Sequence, residues 1–137
     1  PSNEDTKYTR VRIRKLINEF QKEGFEKDKL LLTLNNLQKS NLAISFYVNE
    51  NKRLNSFFDK NKKRLILEKN FFIQPYEIVF RSFSDSITFI GKRYNAVRGK
   101  KIDNILDKIG KNSFKSETLG GCIIKKSQQT VIITKEY

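Results

Sequence analysis

The segment GKRYNAVRGKK, residues 91–101, places basic side chains and one tyrosine beside two glycines. Cationic groups interleaved with an aromatic ring suit a phosphate backbone that offers one base or ribose for stacking. The alternative is a polar connector whose Tyr94 and Val97 pack into the core. We interpret the segment as a candidate nucleic-acid contact, because a loop tolerates excess positive charge only where a partner relieves it. Its basic residues are Lys92, Arg93, Arg98, Lys100 and Lys101.

A second candidate contact lies near the N-terminus, in the sequence RVRIR of residues 10–14. On a helix, Arg10 and Arg14 share one edge of the apolar face, whereas Arg12 points elsewhere. Two guanidinium groups at this spacing can bind adjacent phosphates, and the planar fork of arginine donates in a bidentate manner. The alternative is a solvated helix flank whose arginines pair with local acids such as Asp5.

Two glycines precede an apolar run near the C-terminus, in the sequence TLGGCIIKK. Gly120 and Gly121 do not match a phosphate-binding loop, because no Lys-Ser/Thr pair follows them. The pair instead predicts a turn or bulge where the backbone needs positive φ or a close approach. One of Lys125 and Lys126 should face solvent beside Lys135 on the partner strand.

The residue types offer little support for catalysis or metal binding. Cys122 has no histidine anywhere in the chain to activate it, so it is interpreted as a buried strand thiol. One cysteine and no histidine exclude a disulfide within the chain and a conventional zinc site. Asp103 and Asp107 lie four apart on a predicted helix, where they more simply offset neighbouring lysines. We expect no cofactor site in these residues.

The chain carries 28 Lys and Arg against 15 Asp and Glu, a formal net charge of +13. This charge would repel itself unless a polyanion were the usual neighbour, and it predicts a nucleic-acid partner. The alternative is that an adenine- and thymine-rich coding sequence raises the lysine content, which explains residue choice better than net charge.

Apolar runs stay far below the roughly 20 residues that a membrane span needs, so a cytoplasmic protein is predicted. A start at Pro1 without methionine indicates a piece of a longer polypeptide.

Hydrophobic spacing predicts mainly helices in the first half of the chain. Ile13, Leu16, Ile17 and Phe20 share one face of a helix that ends at Gly24. A second helical pattern runs from Asp28 to about Asp59, as one long helix or as two with a break. Residues 61–75 suit an extended segment and are interpreted as a boundary between two parts.

The second half predicts two helices and a hairpin. One helix follows Pro75 and ends at Gly91, and a short amphipathic helix over residues 102–109 is closed by Gly110. Residues 111–117 are predicted to be a loop, and CIIKK and TVIIT flank residues 127–129 as a terminal β-hairpin. The expected fold is α+β and mostly α-helical: a helical hairpin or long helix, followed by a small helical domain that ends in a β-hairpin.

Both ends of the chain resemble bacterial tRNA(Ile)-lysidine synthases. PSNEDTKYTRVRIRKLI is similar to the segment that closes their catalytic domain, through Ser2, Asn3, Asp5, Tyr8, Arg10 and Arg14. ITFIGKRYNAVRGKKIDNIL and TLGGCIIKKSQQTVIITKE resemble the C-terminal part of the alphaproteobacterial-type members. Val11 and the residues ahead of Arg98 depart from the pattern, and the Ser-Gly-Gly-x-Asp-Ser nucleotide loop of the family is absent from this sequence.

The resemblance implies an enzyme that activates C2 of the wobble cytidine with ATP and magnesium, so that the amine of lysine displaces AMP. The modified CAU anticodon then reads AUA as isoleucine. This chain would be the part that holds tRNA(Ile), and it would not catalyse the reaction alone. Lysine and ATP would act through the absent catalytic domain. The parent enzyme could form a homodimer. Residues 1–24 would end the catalytic domain, 25–61 would link, and 62–137 would bind tRNA. The implied tRNA-binding residues are Arg10, Arg14, Lys92, Arg93, Arg98, Lys100, Lys101 and Lys125. A stand-alone basic RNA- or DNA-binding protein without catalysis is the alternative.

Overall fold

The computed structural model describes residues 8–24, 26–93 and 95–137. It divides the chain into two compact units, residues 1–42 and 43–137. The predicted α+β class is confirmed. The helices are α1 (Thr9–Lys22), α2 (Lys27–Asn55), α3 (Tyr76–Gly91) and α4 (Gly99–Ile109), with a 3-10 turn at Lys69–Phe72. The strands are β1 (Ser56–Asp59), β2 (Arg64–Leu67), β3 (Ser116–Leu119), β4 (Cys122–Ser127) and β5 (Thr130–Lys135).

The first unit contains α1 and the beginning of α2. Helix α1 ends near Gly24, which has φ +91 and therefore a backbone conformation that favours glycine. Val11 is the buried residue of this helix. The predicted apolar face is only partly covered, because Ile13, Leu16 and Phe20 each remain about half exposed. Periodicity thus predicted the helix correctly.

Helix α2 is one continuous helix, which decides between the two predicted alternatives. Its predicted end at Asp59 is wrong, because residues 56–59 form β1 instead. The Ser56 hydroxyl donates to the Lys52 carbonyl at the helix end. Beyond this point the backbone pairs with β2, with Ser56 opposite Leu67 and Asp59 opposite Arg64.

The second unit is built on a five-stranded antiparallel sheet with the order β1-β2-β5-β4-β3. Side chains that alternate along its strands face α3 and α4, and they include Leu67, Ile124 and Ile133, each fully buried. The same core contains Phe83 of α3 and Ile102 of α4. Residues 61–75 are partly extended, as predicted, because they contain β2, which pairs with both β1 and β5.

The C-terminal part of α2 is joined to α3 by buried polar groups. The Asn51 side-chain amide donates to the Phe71 carbonyl and to the Ser82 hydroxyl, both at 3.2 Å. Its own oxygen accepts a 2.8 Å hydrogen bond from the amide of Asn55. Ser82 in turn donates to the Ile78 carbonyl at 2.6 Å. These bonds satisfy a group that is only 3% exposed.

The predicted helix after Pro75, the short helix closed by Gly110 and the terminal hairpin are all present. The predicted loop 111–117 is too long, because its last two residues begin β3. This strand has the polar sequence SETL and lies at the edge of the sheet, so no apolar alternation marks it. The hairpin is consequently part of a larger sheet.

Candidate nucleic-acid interface

Gly120 and Gly121 form the two-residue turn between β3 and β4. Their φ values of +60 and +80 confirm the predicted need for positive φ. Two consecutive residues with positive φ match the right-handed twist of the strands that they join, and glycine adopts this conformation without steric cost. The glycine pair therefore sets the geometry at this end of the sheet.

The same turn is approached closely by the end of α3 and by the loop after it. A Cβ on Gly120 would lie 2.6 Å from Val97 Cγ2, and a Cβ on Gly121 would lie 2.7 Å from Arg93 Nε. A Cβ on Gly91 would lie only 2.2 Å from the Gly120 carbonyl oxygen. Residues 91–101 and the glycine turn, far apart in the sequence, are thus in direct contact.

This contact fixes the path of the predicted basic segment. Lys92 ends α3 with φ 51, and its N–H donates to the Thr88 carbonyl at 2.9 Å. Val97 is half-buried against the core, as the alternative interpretation expected, while Tyr94 lies outside the described residues. The five basic side chains are exposed, two before Tyr94 and three at the start of α4: Lys92, Arg93, Arg98, Lys100 and Lys101.

Neighbouring acids are engaged elsewhere. Asp103 accepts a hydrogen bond from the Tyr76 hydroxyl, and Asp107 pairs with Lys111 at 3.3 Å. In residues 8–24, 26–93 and 95–137, no ion pair involves any of the five basic residues of the segment 92–101. The positive charge of this segment is therefore not neutralised by described carboxylates, and it is available to a polyanion.

Cys122 lies directly after the turn and is fully buried. Its thiol donates to the Ile87 carbonyl at 3.3 Å. Burial raises the pKa of the thiol to about 11, and the nearby positive charge of Arg93 offsets only part of this effect. A thiol that stays protonated at neutral pH is a poor nucleophile, so Cys122 is a structural residue as predicted.

The remaining predicted contacts lie on other elements. Arg10 and Arg14 are exposed on α1 in the first unit, and Asp5, their suggested partner, lies outside the described residues. Lys125 is exposed on β4 opposite Ile132. The prediction that the exposed lysine lies beside Lys135 is wrong, because Lys135 is opposite Cys122 and faces the other side of the sheet.

Lys126 has a structural role that the sequence did not indicate. Its ammonium group donates to the Ile109 carbonyl at 2.7 Å. A cation at the C-terminal end of α4 compensates the carbonyl groups that lack helical partners there. Lys126 thereby ties the sheet to α4, and Lys125 is left as the solvent-facing member of the pair.

One basic cluster was missed at the sequence level. The turn between β1 and β2 carries Lys60, Lys62 and Lys63, all exposed. Asp59 accepts hydrogen bonds from the N–H groups of Asn61 and Lys62, at 3.0 and 3.2 Å. These bonds, with the guanidinium of Arg64, hold the pKa of Asp59 below its usual value. The signal in the sequence is the run KNKKR, whose last four residues belong to the segment 61–75 that is interpreted only as a boundary.

In the described part of the chain, no three Cys, Asp or Glu side chains gather as a metal site requires. No described helix combines the length and the apolar character of a membrane span. Comparisons with protein-family models, curated proteins and solved structures find no match to this chain.

Proposed function

We propose that this chain is the tRNA-binding C-terminal part of a tRNA(Ile)-lysidine synthase, acting in the cytoplasm. Support comes from the two downstream segments that resemble that family, residues 87–106 and 118–136. They meet where Arg93 and Val97 pack on Gly120 and Gly121. This contact is the observation that carries the proposal. It brings together two segments that are separate in the sequence and that each resemble the same family, so they would form one surface.

In this function the chain holds tRNA and leaves the chemistry to another domain. The cations of the segment 92–101 would contact phosphates, which fix the position of an RNA without reading its sequence. Recognition of the wobble cytidine, its activation with ATP and Mg²⁺, and the attack by lysine would belong to the catalytic domain. Dimerisation of the parent enzyme is compatible with this division.

A stand-alone basic RNA- or DNA-binding protein is the second candidate. It is favoured by one observation: the exposed cations of the segment 92–101 suffice for phosphate contacts. Such a protein would bind most nucleic acids with similar affinity, because phosphate contacts dominate affinity and carry little sequence information. Preference among RNAs therefore separates the two candidates.

The first test is binding of the chain to tRNA(Ile) with the CAU anticodon, to elongator methionine tRNA and to an unstructured RNA, each over a salt series. We expect tight binding that prefers tRNA and weakens steeply with salt. Equal binding to all RNAs would mean that discrimination lies in the absent catalytic domain, or that the chain is the stand-alone protein. Absence of binding at low salt contradicts both candidates.

The loop is tested by Arg98→Ala. We expect moderately weaker RNA binding and a salt slope shallower by about one, because one phosphate contact is lost, with the preference among RNAs unchanged. Arg53→Ala is the matched control, since Arg53 is exposed but already paired with Glu50 at 2.7 Å. An unchanged salt slope in Arg98→Ala would argue against the loop as a contact.

A further inference from the structure

The sheet of the second unit has a face opposite to α3 and α4, which we call the open face. The strand register aligns its side chains in two rows. The first row contains Phe57, Ile66, Ile132, Lys125 and Ser116, and the second contains Asp59, Arg64, Thr134, Ile123 and Thr118. The rows cross all five strands, so the open face is a continuous surface.

Exposure differs between the two faces of the same strands. Leu65 and Leu67 of β2 are 6% and 0% exposed toward the core, whereas Ile66 between them is half-buried. Phe57, opposite Ile66, is 63% exposed. Ile132, the next residue of the first row, is also half-buried. We call Phe57, Ile66 and Ile132 the apolar strip. The open face thus presents an aromatic ring beside an aliphatic surface.

Three charged side chains lie in the two rows of the open face: Lys125, Arg64 and Asp59. Lys125 follows the apolar strip in the first row, and the basic turn with Lys62 and Lys63 follows Asp59 of the second row. Within the two rows, which lie wholly in the described strands, the one carboxylate is Asp59. That carboxylate accepts hydrogen bonds from its own turn and pairs with Arg64 at 3.3 Å. The face therefore favours an anionic partner with flat apolar groups.

The chemistry of single-stranded RNA matches this surface. Bases stack on exposed aromatic rings, phosphates bind lysines, and serine or threonine hydroxyls can bond 2′-hydroxyl groups. β1 and β4 are separated by three strand spacings, about 14 Å, so stacking on Phe57 and a phosphate on Lys125 would involve different nucleotides of one strand. A second copy of this chain fits less well, because it would bring like charges together.

We propose that the open face binds an unpaired RNA segment, with one base stacked on Phe57 and phosphates held by Lys125 and by the lysines of the β1–β2 turn. The inference rests on the RNA partner of the proposed function, but it assigns a surface other than the segment 92–101. It predicts that the chain holds structured and unpaired RNA through separate groups.

Tryptophan fluorescence offers a direct test, because the chain contains no tryptophan. Phe57→Trp places one reporter at the proposed stacking position, and titration with an unstructured oligouridylate should quench its emission in a saturable manner. Tyr137→Trp is the control, since Tyr137 is 97% exposed at the chain end. We expect little quenching there at the same RNA concentrations.

Affinity supplies the second measurement. Phe57→Ala should weaken oligouridylate binding by about 5- to 150-fold, the range that one lost stacking contact represents. Phe46→Ala is the matched control, because Phe46 is 60% exposed on α2 in the same unit. It should leave the affinity unchanged.

The outcomes separate this inference from the proposed function. If tRNA binds and Arg98→Ala weakens it, while oligouridylate leaves the Phe57→Trp emission and the Phe57→Ala affinity unchanged, the open face is not the RNA surface and the proposed function stands. Quenching that follows protein concentration without RNA would assign the face to self-association and overturn the inference. If no RNA binds at low salt, both proposals fail.

Discussion

The backbone carbonyl oxygen of Gly120 lies next to the position that a Cβ atom would occupy on residue 91. A Cβ at this position would approach that oxygen to 2.2 Å, a distance that only backbone movement can relieve. We expect Gly91→Ala to reduce the free energy of unfolding by about 3 kcal/mol, the upper part of the usual range for overpacking a dense interior. Urea unfolding followed by circular dichroism measures this change.

The control for this substitution is Gly99→Ala at the start of α4. There a Cβ would lie 3.4 Å from Phe80 Cζ, which is ordinary van der Waals contact. Alanine also suits a helix better than glycine, so the free energy of unfolding should stay within about 1 kcal/mol or rise. Equal losses in both variants would show that the close approach at Gly91 is not the cause.

Among the elements, α2 and α3 depend on the buried amide of Asn51. Asn51→Leu keeps a similar volume but removes the donor to Phe71 and Ser82 and the acceptor for Asn55. Buried partners left without hydrogen bonds cost about 1 to 3 kcal/mol, so we expect a loss of this size in the free energy of unfolding. Thermal and urea unfolding would measure it.

Asn49→Leu is the matched control for this prediction, because Asn49 is exposed on the same helix. Its free energy of unfolding should change by less than about 0.5 kcal/mol. A stable Asn51→Leu would mean that the apolar side chain compensates the lost hydrogen bonds. α2 and α3 would then be joined by packing rather than by polar specificity.

The elements that the sequence predicted well are those whose apolar period is unambiguous. The helix after Pro75 and the strands CIIKK and TVIIT belong to this class, because one side of each is buried in the core. β1 and β3 were missed because each has only four residues and lies at a sheet edge, where burial imposes little pattern. Tertiary pairing, rather than local preference, determines such strands.

Tertiary pairing also determines which of the predicted basic residues lie on the same face of the sheet. The cations of the segment 92–101 lie close together in the sequence, so they could be grouped without a structure. The sequence did not predict that Lys125 and Lys135 lie on opposite faces of the sheet. The hairpin turn has two residues, Gln128 and Gln129, where a three-residue loop was expected. One residue of difference reverses which side chains share a face, and Lys135 moves to the opposite side.

At the scale of the whole molecule, a formal net charge of +13 on 137 residues should set how the chain responds to salt. The ion pairs among the described residues are mostly exposed, and exposed pairs contribute about 0 to 1 kcal/mol each. Repulsion among the unpaired cations is the larger effect, and it opposes the compact state. Salt screens this repulsion.

We therefore expect the melting temperature of the free chain to rise by a few degrees between low and physiological potassium chloride. With RNA present the trend should be opposite, because bound RNA stabilises the folded state by mass action and salt weakens that binding. The two melting curves should converge as salt increases. Thermal unfolding followed by circular dichroism, with and without a saturating RNA, measures both trends. A melting temperature of the free chain that decreases with salt would show that attraction among its charges exceeds repulsion, and that the chain does not need a polyanion to relieve its charge.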